Sequence, residues 1–415
     1  MSGAIALIKD GKNFSSYYFY NNFLKNVAEY YRDESNKDVI QFSLIVEEDN
    51  EILSNKYHID PITLPLLVSL AEQLKKYHKS SLPLLLSNNK ATKSVLSFLE
   101  KADFFYLIGD NFNPTYPLGR EIFSFDPRYL GDLKLKVQRP EHKLRGYSID
   151  EDELREKIKE FDSPERQRDY LVEYYTYKVK DHFGVLLFSN NQTQKLTYEF
   201  IDILAELITN GVLHSGSNAY TLMFSNQFKT SFSISDNGVG LYSSLENKNT
   251  SNISYYAKFE MFEELKKINK LKVSNQIENS LLAIFETLYY SMLKDRKGLF
   301  DLMCNVVINC QGYFRLHNEN AQIIVSARML DELYVLFESR KKIIQMHDNF
   351  MFQRISYDDF EKEIKEIASE VKTKFIRLAL SIFEKYHIDT RFSSIRLFEV
   401  KFRGVHIEVE IPNIL

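Results

Sequence analysis

Tryptophan is missing from the 415 residues, cysteine occurs twice, and the net charge is only −4. The missing tryptophan excludes nothing by itself, since phenylalanine and tyrosine are abundant. Two cysteines cannot form a disulfide framework for a chain this long. Cys304 and Cys310 fall in an apolar run, where buried and inert thiols are expected. Lys and Arg are scattered among Asp and Glu, which argues against a nucleic-acid partner, because that needs a strongly basic face. No uninterrupted apolar stretch approaches membrane-spanning length, and "MSGAIALIKDGK" carries no signal-peptide cleavage signature. The expectation is a cytoplasmic protein with no membrane partner. Neither a P-loop nor a zinc spacing occurs, and there are no tandem repeats. What remains is an ordinary globular composition, 44% apolar and 27% charged, with length for two or three domains.

The first part of the chain alternates in type. "AIALI", "DVIQFSLIVEE", "LPLLLSN" and "DFFYLIG" read as strands. "NFSSYYFYNNFLKNVAEYY", "LPLLVSLAEQLKKYH" and "ATKSVLSFLEKA" read as helices, with Pro65 tolerated in a first turn. Such alternation predicts a small α/β domain over residues 1–135. Proline- and charge-containing segments from "NPTYPLGR" to "VQRPEHKLRGYS" read as loops, and a linker is expected over 136–162. Ser163 as cap and Pro164 in the first turn then restart a helix.

"AELITNGVLHSGS" places Glu206 and Asn210 four residues apart, on one face of a helix. Two alternating runs follow, "AYTLMFS" and "KTSFSIS". In the second, Phe232 and Ile234 point one way and the serines the other, as in a strand with one buried face. It ends in "DNGVG", Asp236 to Gly240, which alone would be turn chemistry. Downstream, Gly298 opens an apolar helix in "DRKGLFDLMCNVVINC", and "YFRLHN" follows as a strand. The final run "RGVHIEVEIP" sets Gly404 before the alternating Val405, Ile407, Val409 and Ile411, then Pro412.

In this order the four elements resemble the GHKL superfamily, the histidine-kinase-like ATPases. The first also looks like the corresponding segment of anti-sigma-factor serine kinases. The resemblance implies a GHKL-type α/β sandwich, a mainly antiparallel sheet covered by helices, over 163–326 plus 395–415. A helical insertion then occupies 327–394. The N-terminal region is similar to small STAS domains, whose phosphorylatable serine has only Thr63 as a counterpart. ATP and Mg²⁺ follow as the implied cofactors. Asn210 would offer Mg²⁺ a neutral oxygen, and Glu206 would orient and deprotonate the attacking water. Asp236 would accept from the adenine amine. Gly238 and Gly240 would let the nucleotide approach the backbone, and Gly298 would free helix N–H groups for phosphate. Two departures are visible: "RKGL" has one glycine where the family shows two, and Val405 stands where threonine is common.

Three functions are open at this level. One is a slow Mg²⁺-dependent ATPase acting as a regulatory switch on an unidentified protein partner. The second is a protein-serine kinase acting on a STAS-type protein, and the third is a nucleotide-binding module without turnover. The insertion has its own pattern: Ser356 and Asp359 as a capping box, then Phe360, Ile364, Ile367, Val371, Phe375, Leu378 and Ile382 as one helical stripe. That stripe either covers its own domain or forms a dimer or partner surface.

Overall fold

Strand–helix alternation near the N-terminus builds a parallel sheet. The computed structural model describes residues 4–8, 13–33, 36, 38–46, 59–109, 121–131, 133, 142–151, 153–215, 218–250 and 253–414. Within them β1 (Ile5–Ala6), β2 (Phe42–Ser43), β3 (Leu82–Leu85) and β4 (Phe123–Ser124) pair in that order, all parallel. Parallel neighbours need crossovers, here supplied by helices that include Leu24–Arg32, Leu64–His78 and Lys90–Lys101. Asn89 caps the last of these, its Oδ1 accepting from the Thr92 N–H at 2.7 Å.

The run "DFFYLIG" is a helix, Phe104–Ile108, and not the expected strand. Asp103 turns the chain with a left-handed backbone, and the Leu107 N–H then donates to the Asp103 carbonyl at 3.0 Å. Phe104, Phe105, Leu107 and Ile108 are all buried. A short run buried on every side carries no period that separates helix from strand.

The second sheet is antiparallel throughout. Its strands are β5 (His142–Tyr147), β6 (Ala219–Ser225), β7 (Lys229–Asp236), β8 (Tyr313–Val325) and β9 (Ile395–Pro412), in the order β5-β6-β7-β9-β8. The expected linker over 136–162 therefore contains an edge strand, from His142 opposite Phe224 to Tyr147 opposite Ala219. Its charge disguised it, because Arg145 is buried and meets Asp103 at 2.5 Å. The proline-bearing stretches 113–120 and 134–141 lie outside the described residues.

Both faces of this sheet are covered. Phe232 and Ile234 join the helical core on one side with the helices Pro164–Phe188, Thr197–Ser215 and Asn275–Leu293. The opposite face was expected to be open, yet Ser231, Ser233 and Ser235 are buried there under the N-terminal layer. The Ser233 hydroxyl donates to the Ile62 carbonyl at 2.8 Å, while Tyr220, Leu222 and Phe224 pack into the N-terminal core. Thr63 is fully buried beside this contact, closed to modification in this arrangement. Among the described residues no helix is long and apolar enough to cross a membrane.

A helical hairpin, Leu330–Met351 and Tyr357–Glu384, is inserted between β8 and β9. Ser356 caps the second helix, its Oγ accepting from the Asp359 N–H at 3.1 Å. The apolar stripe is core, which overturns the reading of it as a dimer or partner surface. Phe360, Ile364, Val371, Phe375, Leu378 and Ile382 are buried in the same cluster as the sheet's helices. Phe375 meets Tyr289 edge-on at 5.6 Å between ring centres. Amphipathic periodicity marks which face is covered and not what covers it.

Ile364→Glu combined with Val371→Glu should therefore bury two unpaired charges, cost several kcal/mol and abolish cooperative unfolding. Thermal melts would check this against a charge reversal at exposed Glu366, which should leave the transition in place. A double variant that melts like the parent would return the stripe to the surface.

Candidate active site

The helix Thr197–Ser215 points an apolar face, with Phe200, Ile203, Leu204 and Ile208, into the core. Its other face presents Glu206 and Asn210, whose Nδ2 lies 3.4 Å from Glu206 Oε1. The Glu206 carboxylate is paired with the Arg168 guanidinium. Asn210 Oδ1 is buried and, among the described residues, has no hydrogen-bond partner. A buried amide oxygen of this kind is an acceptor waiting for a donor or a cation.

Asp236 ends β7 facing the same space. Its Oδ1 accepts from the Gly238 N–H at 2.7 Å and the Val405 N–H at 3.3 Å. Burial pushes its carboxyl up to about 6, against the two N–H donors that hold it down. β9 passes so close that a Cβ on Gly404, at φ +117°, would lie 2.1 Å from the Asp236 carbonyl oxygen. Gly240 also has a left-handed backbone, φ +81°, and a Cβ there would meet Glu319 Oε1 at 2.9 Å. At Gly240 the immediate demand for glycine is thus internal to the chain.

Glu206, Asn210, Asp236, Gly238, Gly240 and Gly298 all line one cleft of about 850 Å³, counting the space open to solvent. Leu207, Val239, Leu241, Val405 and Ile407 supply apolar wall, and Lys248, Lys294, Arg296 and Lys297 supply charge.

Sequence reasoning missed these cations. Lys294, Arg296 and Lys297 stand immediately before Gly298, and that cluster was the available signal. Lys248 and Lys294 both lie over the Tyr290 ring, at 4.7 and 5.0 Å from its centre. Burial first, and then Lys294 and Arg168, holds the Lys248 ammonium well below the usual lysine range. Burial, with Arg168 next, pushes Lys294 down to about 8. Arg296 is paired with Asp169, and Lys297 with Glu199 at 2.7 Å. Crowded cations in a partly closed cleft are an anion's binding chemistry.

The expected role of Gly298 changes. Its N–H donates to Asp301 Oδ2 at 2.9 Å and the Phe300 N–H to Ser291 Oγ at 3.1 Å, so these two donors are engaged within the chain. Asp301 is held in turn by Arg340, from the first helix of the inserted hairpin. Arg340 Nε and Nη2 each reach Asp301 at 2.9 Å, and the same guanidinium donates to the carbonyls of Met292, Lys294 and Arg296. All five of its N–H groups are used. The turn therefore presents lysine and arginine side chains to the cleft from a clamped backbone.

No protein-family model, curated protein or solved structure matches the chain.

Arg340→Ala should leave Asp301 buried without its partner and three carbonyls without donors, costing about 3–5 kcal/mol. Arg340→Lys should recover only part, since one ammonium cannot span a carboxylate and three carbonyls. Urea unfolding of both variants checks the order; equal stability of the parent and Arg340→Ala would refute the clamp.

Proposed function

We propose that the chain is an ATP-binding protein of the histidine-kinase-like type, a slow Mg²⁺-dependent ATPase that acts as a regulatory conformational switch. The observation that carries this is the meeting of six motif residues, from three separate stretches of sequence, with a cluster of cations in one cleft. The antiparallel sheet with helices on one face also suits a GHKL-type sandwich.

In this reading the half-buried Asp236 carboxylate accepts from the adenine amine beside the apolar wall of the cleft. Lys294, Arg296 and Lys297, before Gly298, take the phosphates. Asn210 Oδ1, the unpartnered acceptor, fits a hard cation that draws its other ligands from phosphate and water. Bound Mg²⁺ would offset phosphate charge. Glu206, one turn away on the same helix, takes the proton of the attacking water.

A binding module without turnover has one observation on its side, since Glu206 is tied to Arg168 and is not free to act as a base. Phosphate release by the purified chain separates the two readings.

Asp236→Asn should weaken ATP binding by roughly 1–3 kcal/mol, by mispairing a buried donor, while the fold persists. Glu206→Ala should retain nucleotide but lose turnover by about 10²–10⁴-fold, whereas Asn210→Ala should lose Mg²⁺-dependent binding as well. Calorimetric titration with parallel phosphate assays reads all three. Parent-like ATP affinity in a folded Asp236→Asn protein would remove that residue from the site.

The pH dependence of binding has a defined sign. Asp236 accepts more strongly when ionised, and burial raises its carboxyl to about 6, so affinity should weaken below that pH. Lys294 loses its charge as pH rises through about 8, so affinity should also fall above it. Lys294→Met should abolish the alkaline limb; an unchanged limb in that variant contradicts a phosphate contact there.

A further inference from the structure

Arg168 comes to the site from the helix Pro164–Phe188 and holds Glu206 Oε1, with 18% of its side chain exposed against 7% for Glu206. It does not itself line the cleft, but the carboxylate it holds does, which leaves the guanidinium one hydrogen bond from the cavity. Burial and then Arg296 disfavour its charged form, with Asp169 and Asp295 opposing them. Lys248 and Lys294 feel it as a further like charge. Asp169 and Glu199 pair with Arg296 and Lys297, and Glu206 is the carboxylate that meets Arg168. A carboxylate so paired is also poorly placed to act as a base, because the oxygen that would take a proton is already engaged by the guanidinium.

Hydrolysis needs that carboxylate. Water's oxygen bonds to the terminal phosphorus, and the bond from phosphorus to the bridging oxygen breaks. ADP leaves with the electron pair, and the water's proton passes to Glu206. As the chain stands, its own arginine occupies the group that must take the proton.

We propose that Arg168 reads the terminal phosphate of a bound nucleoside triphosphate, exchanging Glu206 for phosphate oxygens and so freeing the base only when a triphosphate is present. The proposal rests on the ATP reading above. A terminal phosphate carries more charge than a carboxylate and presents three oxygens to the planar guanidinium fork. It also brings the crowded lysines a second anion. A diphosphate ends one group short and leaves the Arg168–Glu206 pair closed. Arg168 thus sets specificity for the triphosphate and positions the base with the same movement.

Calorimetric titration of the full chain with Mg·ATP and Mg·ADP tests this in the parent, Arg168→Ala, Glu206→Gln and the double variant Arg168→Ala/Glu206→Gln. Losing one charge-assisted contact should lower ATP affinity about tenfold in Arg168→Ala and leave ADP affinity within about twofold. Glu206→Gln releases the arginine, so ATP should bind more tightly than to the parent and ADP equally. The double variant removes both members of the ion pair together, so it keeps the fold and should still lose the preference for ATP. Equal loss of ATP and ADP affinity in the Arg168 variants, or a parent with no preference between them, overturns the proposal. A parent that binds neither nucleotide overturns the ATP reading itself. Intact ATP preference without Arg168 overturns only the role of Arg168.

Discussion

One buried guanidinium ties together parts of the chain that the sequence keeps apart. Arg340 belongs to the inserted hairpin, yet its donors end on Asp301 and on the backbone that carries Lys294 and Arg296 to the cleft. Such a charge can be buried only because each of its N–H groups has an acceptor. A lysine would place three donors around one point, whereas this site needs a flat fork spread over a carboxylate and three carbonyls. The basic turn keeps its cations close together against their mutual repulsion because its backbone is fixed from behind.

The opposite side of the cleft is held from the N-terminal layer. Glu72, on the helix Leu64–His78, accepts from the side chains of Asn237 and Asn218, and Gln73 Nε2 donates to Asn237 Oδ1 at 3.2 Å. Gln73 also reaches the Arg403 carbonyl at 2.9 Å, one residue before the glycine that packs on Asp236. The N-terminal layer thus grips the Asp236–Gly240 turn from outside while β9 closes on it from within. Beside the apolar packing, this contact has a further polar part: Tyr20 stacks on His317 at 3.8 Å and its hydroxyl lies 3.2 Å from His406 Nδ1. Burial leaves both histidines neutral, with His406 pushed down to about 3.

What could be read beforehand follows the range of each interaction. Glu206 with Asn210, Asp236 with its glycines, and Gly298 are each local patterns, and all of them face the cleft. Arg168 and Lys248 belong to the site through contacts across long stretches of chain, and no spacing announces such contacts. β5 was hidden because Lys143 and Arg145 look like loop residues until Asp103 is seen beside Arg145. The helix Phe104–Ile108 was hidden for the opposite reason, since an apolar run buried on every side has no period to read. The stripe from Phe360 to Ile382 gave its buried face correctly, but only the packing of Phe375 on Tyr289 decides that its own core covers it.

The placement of the hairpin between β8 and β9 then gains a physical sense. β8 breaks register between Asn318 and Ala321, a bulge of the kind that re-aims side chains beside functional sites. Asn318 Oδ1 takes the Leu241 N–H at 3.0 Å, and Glu319 sits where any side chain on Gly240 would fall. Lys401, from β9, holds Glu319 at 2.6 Å. The strands that lead into and out of the hairpin therefore fix the Asp236–Gly240 end of the cleft, while Arg340, one side chain of the hairpin, fixes the basic end. A displacement of the two helices relative to the sheet would have to move one end against the other.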